Sequence, residues 1–160
     1  MEFASGHLPG AINIPLEQSE LRTADLVEVN VKHHGAVKFE VTAGRHTLVC
    51  DQPACNCGTD DGMTPPELFL SALAPCAAFY AVAYLHKKGL DREGVTVRAT
   101  AEKAGPPARL DDFHIEVEIP GSLSEADSAG VMDSVYRCLI HNTLQHPPAV
   151  HLELRNPVAA

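Results

Sequence analysis

The sequence predicts an α+β fold on three observations: alternating apolar residues from Leu26 to Cys50, a long apolar helix opened by a start signal at Thr64, and two more alternating runs followed by a second helix and a closing strand. In the first region Val27, Val29 and Val31 alternate, then Val37, Phe39 and Val41, then Thr47 and Val49, which predicts three antiparallel strands. Their turns fall at His34-Gly35 and Ala43-Gly44, where glycine tolerates positive φ. Residues 51–63 (DQPACNCGTDDGM) are rich in turn formers and predict a loop. Thr64-Pro65-Pro66-Glu67 then combines an N-cap residue, a proline in the first helical position and a glutamate placed for a capping box. The helix runs to Lys87-Lys88 and stops at Gly89, with its basic last turn matched to the macrodipole. At about 1.5 Å per residue it spans about 36 Å. Being apolar on nearly every face, it belongs in the middle of the fold, wrapped by sheet or by a second subunit.

Two alternating runs, Val95 to Ala101 (VTVRATA) and Phe113 to Ile119 (FHIEVEI), predict a hairpin across a polar, proline-containing connection. Ser124 to Asp127 caps a second helix, in which Val131, Met132, Val135, Tyr136, Leu139 and Ile140 recur at helical spacing and Cys138 falls on the apolar side. Val150 to Arg155 (VHLELR) alternates again as a last strand, and residues 156–160 form a tail. The predicted order is βββ-α-ββ-α-β in one domain over residues 26–155, preceded by an extension, residues 1–25.

Twelve basic against 21 acidic residues give a formal net charge of −9, with no lysine-arginine cluster longer than Lys87-Lys88. Nucleic acid and anionic membranes are therefore poor partners. The apolar stretch from Leu68 to Leu85 is interrupted by Ser71 and Pro75 and reads as a buried helix rather than a membrane span. With no basic segment, apolar run and cleavage site at its start, the sequence leads us to expect a cytoplasmic protein. Five cysteines in such a chain do not pair evenly, which argues against a secreted disulfide framework and for reactive, metal-binding or simply buried thiols.

Two of the five carry the chemical reading. Cys76 lies in the apolar helix (SALAPCAAFYA) and Cys138 in the second (YRCLIHNTL). Such a pair suits two-cysteine redox chemistry: a thiolate attacks peroxide oxygen, the sulfenic acid condenses with a second thiol, and a reductant reopens the disulfide. An apolar site raises a thiol pKa, so something must compensate. Pro75 gives no N–H to the carbonyl of Ser71, and the expectation is a kink that leaves Cys76 at a new helix N-terminus. That effect is worth about 0.3–1 kcal/mol, too little without a cation. Cys50, Cys55 and Cys57, near His33, His34 and His46, are weak candidates for a soft metal such as zinc or copper(I), but the spacing matches no zinc pattern, and incidental loop thiols are the preferred reading.

The segments DGMTPPELFLSALAPC, YLHKKGL, IPGSLSE and YRCLIHNTL, in this order, resemble the OsmC/Ohr family of stress-response thiol proteins across residues 26–155. The resemblance implies an intertwined homodimer with sheets enclosing two central helices, active sites near the subunit interface, and cofactor-free reduction of hydroperoxides, organic ones among them, at the expense of a dithiol. It implies that Cys76 is the peroxidatic cysteine, Cys138 the resolving one, and Glu67 a residue that organises the site. The family's catalytic arginine has no counterpart in the first hairpin turn, VKHHGAV; Arg45 in the next turn is the nearest candidate, with His141 or Lys32 as substitutes. Leu139 stands where the family usually has proline after the second cysteine, and Pro75 where it has a small residue. The alternatives are a non-catalytic ligand-binding or redox-sensing protein that uses the same dimeric cavity, and metal binding at Cys50, Cys55 and Cys57. Separately, EFASGHLPGAINIPLEQ at residues 1–17 is similar to an early segment of rhodanese domains, without the catalytic loop that would follow, and is read as a remnant or an extension packed on the dimer.

Overall fold

The computed structural model describes residues 26–156, so the rhodanese-like segment and most of the tail lie outside the described residues. Strands β1 (Asn30–His33), β2 (Phe39–Ala43) and β3 (His46–Cys50) form an antiparallel sheet in sequential order, with Val31 opposite Val41 and Val41 opposite Leu48. Strand β1 begins later than the alternation suggests, and Val27 and Val29 precede it as exposed, unpaired chain. A short 3-10 turn, Ala54–Asn56, sits in the loop that leads to helix α1 (Pro65–Lys88). The long hairpin β4 (Thr96–Ala104) and β5 (Arg109–Glu118) follows, with an irregularity between Thr100 and Glu102. It extends further than the apolar alternation alone shows, because Glu102, Lys103, Leu110 and Asp111 also pair.

Helix α1 has the predicted ends. The Thr64 N–H and hydroxyl both donate to Glu67 Oε2, at 2.7 and 2.8 Å, and Gly89 closes the helix at φ 67°. By length and composition α1 could cross a membrane. In this fold it is the central packing element instead. Leu73, Ala77, Ala81 and Leu85 recur every fourth residue and are fully buried. Ala77, Ala81 and Leu85 meet Val131 and Val135, flanked by Val95, Val97, Ile115 and Val117 from the hairpin. The alanines let the next helix approach closely: a Cβ at Gly130 would overlap the Tyr84 phenol, whose hydroxyl donates to Asp127 at 3.2 Å. Among the described residues only one face of α1 is fully buried; Phe79 on another face is 56% exposed.

Three expectations are corrected here. Pro75 lies inside an unbroken α1, so the helix has no second N-terminus at Cys76. The second helix is two: α2 (Glu125–Val135) and α3 (Leu139–Gln145). Arg137 and Cys138 bond back to the carbonyls of Ser134 and Val135, three residues earlier, which tightens the last turn of α2 and ends it. Finally, residues 150–155 pair with nothing among the described residues and are not a strand. Leu152 and Leu154 are 96% and 95% exposed, with no sheet edge beside them among the described residues. The described order is therefore βββ-α-ββ-α-α, still an α+β fold. Among the described residues α1 packs on α2, α3, β4 and β5, and no helix packs extensively on the three-stranded sheet.

Candidate active site

The break between α2 and α3 places Cys138. Its backbone is extended, at φ −55° and ψ 128°, and its carbonyl accepts the N–H of Asn142, which makes it the N-cap of α3. Ser134, near the end of α2, donates from Oγ to the Tyr80 carbonyl at 2.9 Å and ties this corner to the middle of α1. Cys138 is 0% exposed, and its thiol lies against that of Cys76. Both are free thiols, Cys138 buried and Cys76 partly accessible.

Burial pushes the Cys138 thiol above its ordinary value of 9.0, and hydrogen bonding with the Cys76 thiol pushes it further; the backbone N–H groups of His141 and Ile140 at the start of α3 pull the other way. His141 thus meets Cys138 through its main-chain N–H, while its imidazole, the group expected to supply a cation, stacks edge-on against Tyr136, 5.6 Å between centroids. Tyr80, one turn beyond Cys76, is pushed above its ordinary 10.0 by burial first and then by the two thiols. Sequence reasoning missed this residue, although four-residue spacing from Cys76 is a readable signal. Phe69 of α1, Ile140, Thr143 and Leu144 of α3, and Pro147 and Pro148 line an apolar cavity of about 390 Å³. Phe69 precedes Cys76 by seven residues, two helical turns on the same face, and Ile140 follows Cys138 by two.

Glu67 is held by the Thr64 backbone and hydroxyl, which depress its pKa together with a weaker attraction to Lys103 of β4. Its carboxylate thus performs helix capping. Arg45 is exposed in the turn between β2 and β3, and Lys32 is exposed on β1. Neither is among the groups that shift Cys138, which include no lysine, arginine or imidazole side chain. The other cysteines do not assemble with them. Cys50 is buried at the end of β3, Cys55 and Cys57 are exposed, and among the described residues no group of three or more His, Cys, Asp or Glu side chains forms a metal set. His33 bonds the Ala36 carbonyl at 3.0 Å and His34 faces Glu40 at 3.8 Å.

The loop before α1 is more ordered than its composition suggests. Asp51, 1% exposed, accepts the Thr59 N–H, the Thr59 hydroxyl and the Asp61 N–H at Oδ2, at 3.0, 2.8 and 3.2 Å. Burial alone would raise its pKa, but these bonds and the Gln52 N–H hold the carboxyl far below its ordinary 3.8. Asp61 pairs with Lys38 and shares the Thr59 hydroxyl proton with Asp51. Side chains at Gly58 and Gly62 would collide with the carbonyls of Gln52 and Val49. The clip delivers Met63 to a bridge with Cys50 and so fixes where α1 starts.

The OsmC-like protein family model matches residues 58–153, more than half of the chain and the whole stretch that carries both thiols. The chain belongs to the OsmC-like family. No curated protein matches it significantly. Among solved structures it resembles an OsmC-like protein from Mycoplasma pneumoniae, at TM-score 0.64 and 22% identity over 78% of this chain and 91% of that one. It also resembles an organic hydroperoxide resistance protein OsmC from Legionella pneumophila, at TM-score 0.56 and 18% identity, covering 79% and 92%. An organic hydroperoxide resistance protein from Elizabethkingia anophelis matches at TM-score 0.57 and 18% identity, covering 79% and 93%. At these identities the likeness establishes the fold. Within this OsmC-like fold, Leu139 occupies the first position of α3, where a proline would be well suited. With leucine there, the sequence carries no mark of the helix break.

Proposed function

We propose that the chain is a thiol-dependent peroxidase that reduces organic hydroperoxides in oxidative-stress defence. The observation that carries this reading is the contact of Cys76 with the fully buried Cys138 in one protomer. Cys76, the more accessible thiol, attacks the terminal oxygen of the hydroperoxide as thiolate, forming an S–O bond and breaking O–O. Cys138 then attacks the sulfenic sulfur, the S–S bond forms, and hydroxide leaves. A dithiol reductant of the cytoplasm returns both thiols. The apolar cavity lined by Phe69 of α1 and by α3, the helix that Cys138 caps, supports an organic rather than an inorganic peroxide, since it would bury an alkyl or aryl group at about 25 cal/mol per Å².

The working unit of this proposal is a homodimer. Among the described residues no helix packs extensively on the three-stranded sheet, Val29 and Val31 are exposed, and the alternating segment 150–155 pairs with no edge. A second copy offers both a cover and an edge. Cys76→Ser abolishes hydroperoxide consumption, while Cys138→Ser leaves a Cys76 sulfenic acid that dimedone traps. Unchanged turnover in Cys76→Ser refutes the reading and favours a binding protein with inert thiols.

A further inference from the structure

We propose that the Tyr80 phenol is the proton donor to the alkoxide released when Cys76 takes the terminal oxygen of a hydroperoxide. The inference rests on the peroxidase reading and adds a residue to it. When the O–O bond breaks, its electron pair departs on the alkoxide, a strong base that needs a proton at once. Sulfur is oxidised by two electrons, the peroxide is reduced by two, and the hydroxyl stays on sulfur as sulfenic acid. The phenol proton completes the alcohol, and water reprotonates the phenoxide. An alkoxide is more basic than a phenoxide, so the transfer runs downhill.

Three observations place Tyr80 for this work. It follows Cys76 by four residues on α1, so the two side chains leave the same helix face with Cβ atoms about 5–6 Å apart. Its carbonyl receives Ser134 Oγ at 2.9 Å, which seats the end of α2, and with it Cys138, over this turn. The phenol is half-buried, and burial and both thiols, not a hydrogen bond, are what act on it, whereas the Tyr84 hydroxyl is committed to Asp127 at 3.2 Å. Burial keeps the Tyr80 phenol protonated throughout the neutral range and ready to donate.

The test is single-turnover oxidation of Cys76 by a series of alkyl and aryl hydroperoxides whose alcohols differ in acidity, in the wild type, Tyr80→Phe and the control Tyr84→Phe. The wild type and the control show rates that depend weakly on alcohol acidity. Tyr80→Phe loses on the order of 10²-fold with the least acidic alcohol and much less with the most acidic. Its Cys76 is alkylated by iodoacetamide at the wild-type rate, which a merely structural lesion would not preserve. Equal leaving-group dependence in Tyr80→Phe and wild type overturns the assignment and gives the proton to Cys138 or water. Should Tyr80→Phe fail to fold, fluorotyrosine at position 80, which keeps the ring and changes the phenol's acidity, replaces it: a leaving-group dependence altered from the wild type supports the assignment, and an unchanged one overturns it. A wild type whose Cys76 no hydroperoxide oxidises refutes the peroxidase reading itself, and the proposal with it.

Discussion

Closure of the Cys76–Cys138 disulfide should accelerate steeply with pH, because the attacking thiol is the buried one. An ordinary cysteine here would titrate at 9.0, and burial, the largest influence on Cys138, moves it higher. At pH 7 its thiolate fraction is then below about 1%, and it grows about tenfold for each pH unit. Oxidation of Cys76 removes the thiol-to-thiol hydrogen bond but not the burial, so the ordering survives into the sulfenic state. The closure rate should rise about 100-fold between pH 6 and pH 8. The assay oxidises reduced protein with excess hydroperoxide, quenches at intervals with acid and an alkylating agent, and reads the disulfide fraction by mass spectrometry. A closure rate that is flat between pH 6 and pH 8 would refute the argument, since it requires a Cys138 already ionised and therefore neither desolvated nor protonated as described.

Other perturbations test the scaffold around the thiols. Leu85→Ala, at a fully buried position, should cost about 2–5 kcal/mol in urea unfolding. Gly130→Ala should be destabilising by about 1–3 kcal/mol from the overlap with Tyr84, exceeding the gain of about 1 kcal/mol in helix propensity. In a Tyr84→Ala background the same change should become stabilising, and a cycle of thermal melts measures the coupling. Ionised Asp51, with its pKa depressed in the fold, contributes stability that is present above about pH 3.8 and lost as the pH falls below it. Asp51→Asn should lower the melting temperature at neutral pH and flatten its fall in acid, followed by circular dichroism from pH 7 to pH 3.

The long elements were legible because their physics is local. Thr64, Glu67 and Gly89 bound α1 by capping chemistry that sequence displays, and β2 and β3 alternate visibly. The break at Cys138 was not legible: Val131, Val135 and Leu139 keep helical spacing across it, and Leu139 replaces the proline that would have marked it. The alternation of residues 150–155 announced a strand, but a strand needs a neighbour, which no local pattern supplies. Proximity of Cys76 and Cys138 followed from the family resemblance, not from spacing. Asp51 and Tyr80 escaped notice because burial and tertiary partners give them their character. Pro75 misled, since a long helix held by packing on one face keeps its path despite one missing bond.

The most direct measurement treats the reduced protein with one equivalent of an organic hydroperoxide, blocks the remaining thiols, and maps disulfides by peptide mass spectrometry under non-reducing conditions. A single crosslink between Cys76 and Cys138 of one chain, with Cys50, Cys55 and Cys57 all alkylated after unfolding, is the predicted result. A crosslink that joins Cys55 or Cys57, or two different chains, contradicts the account.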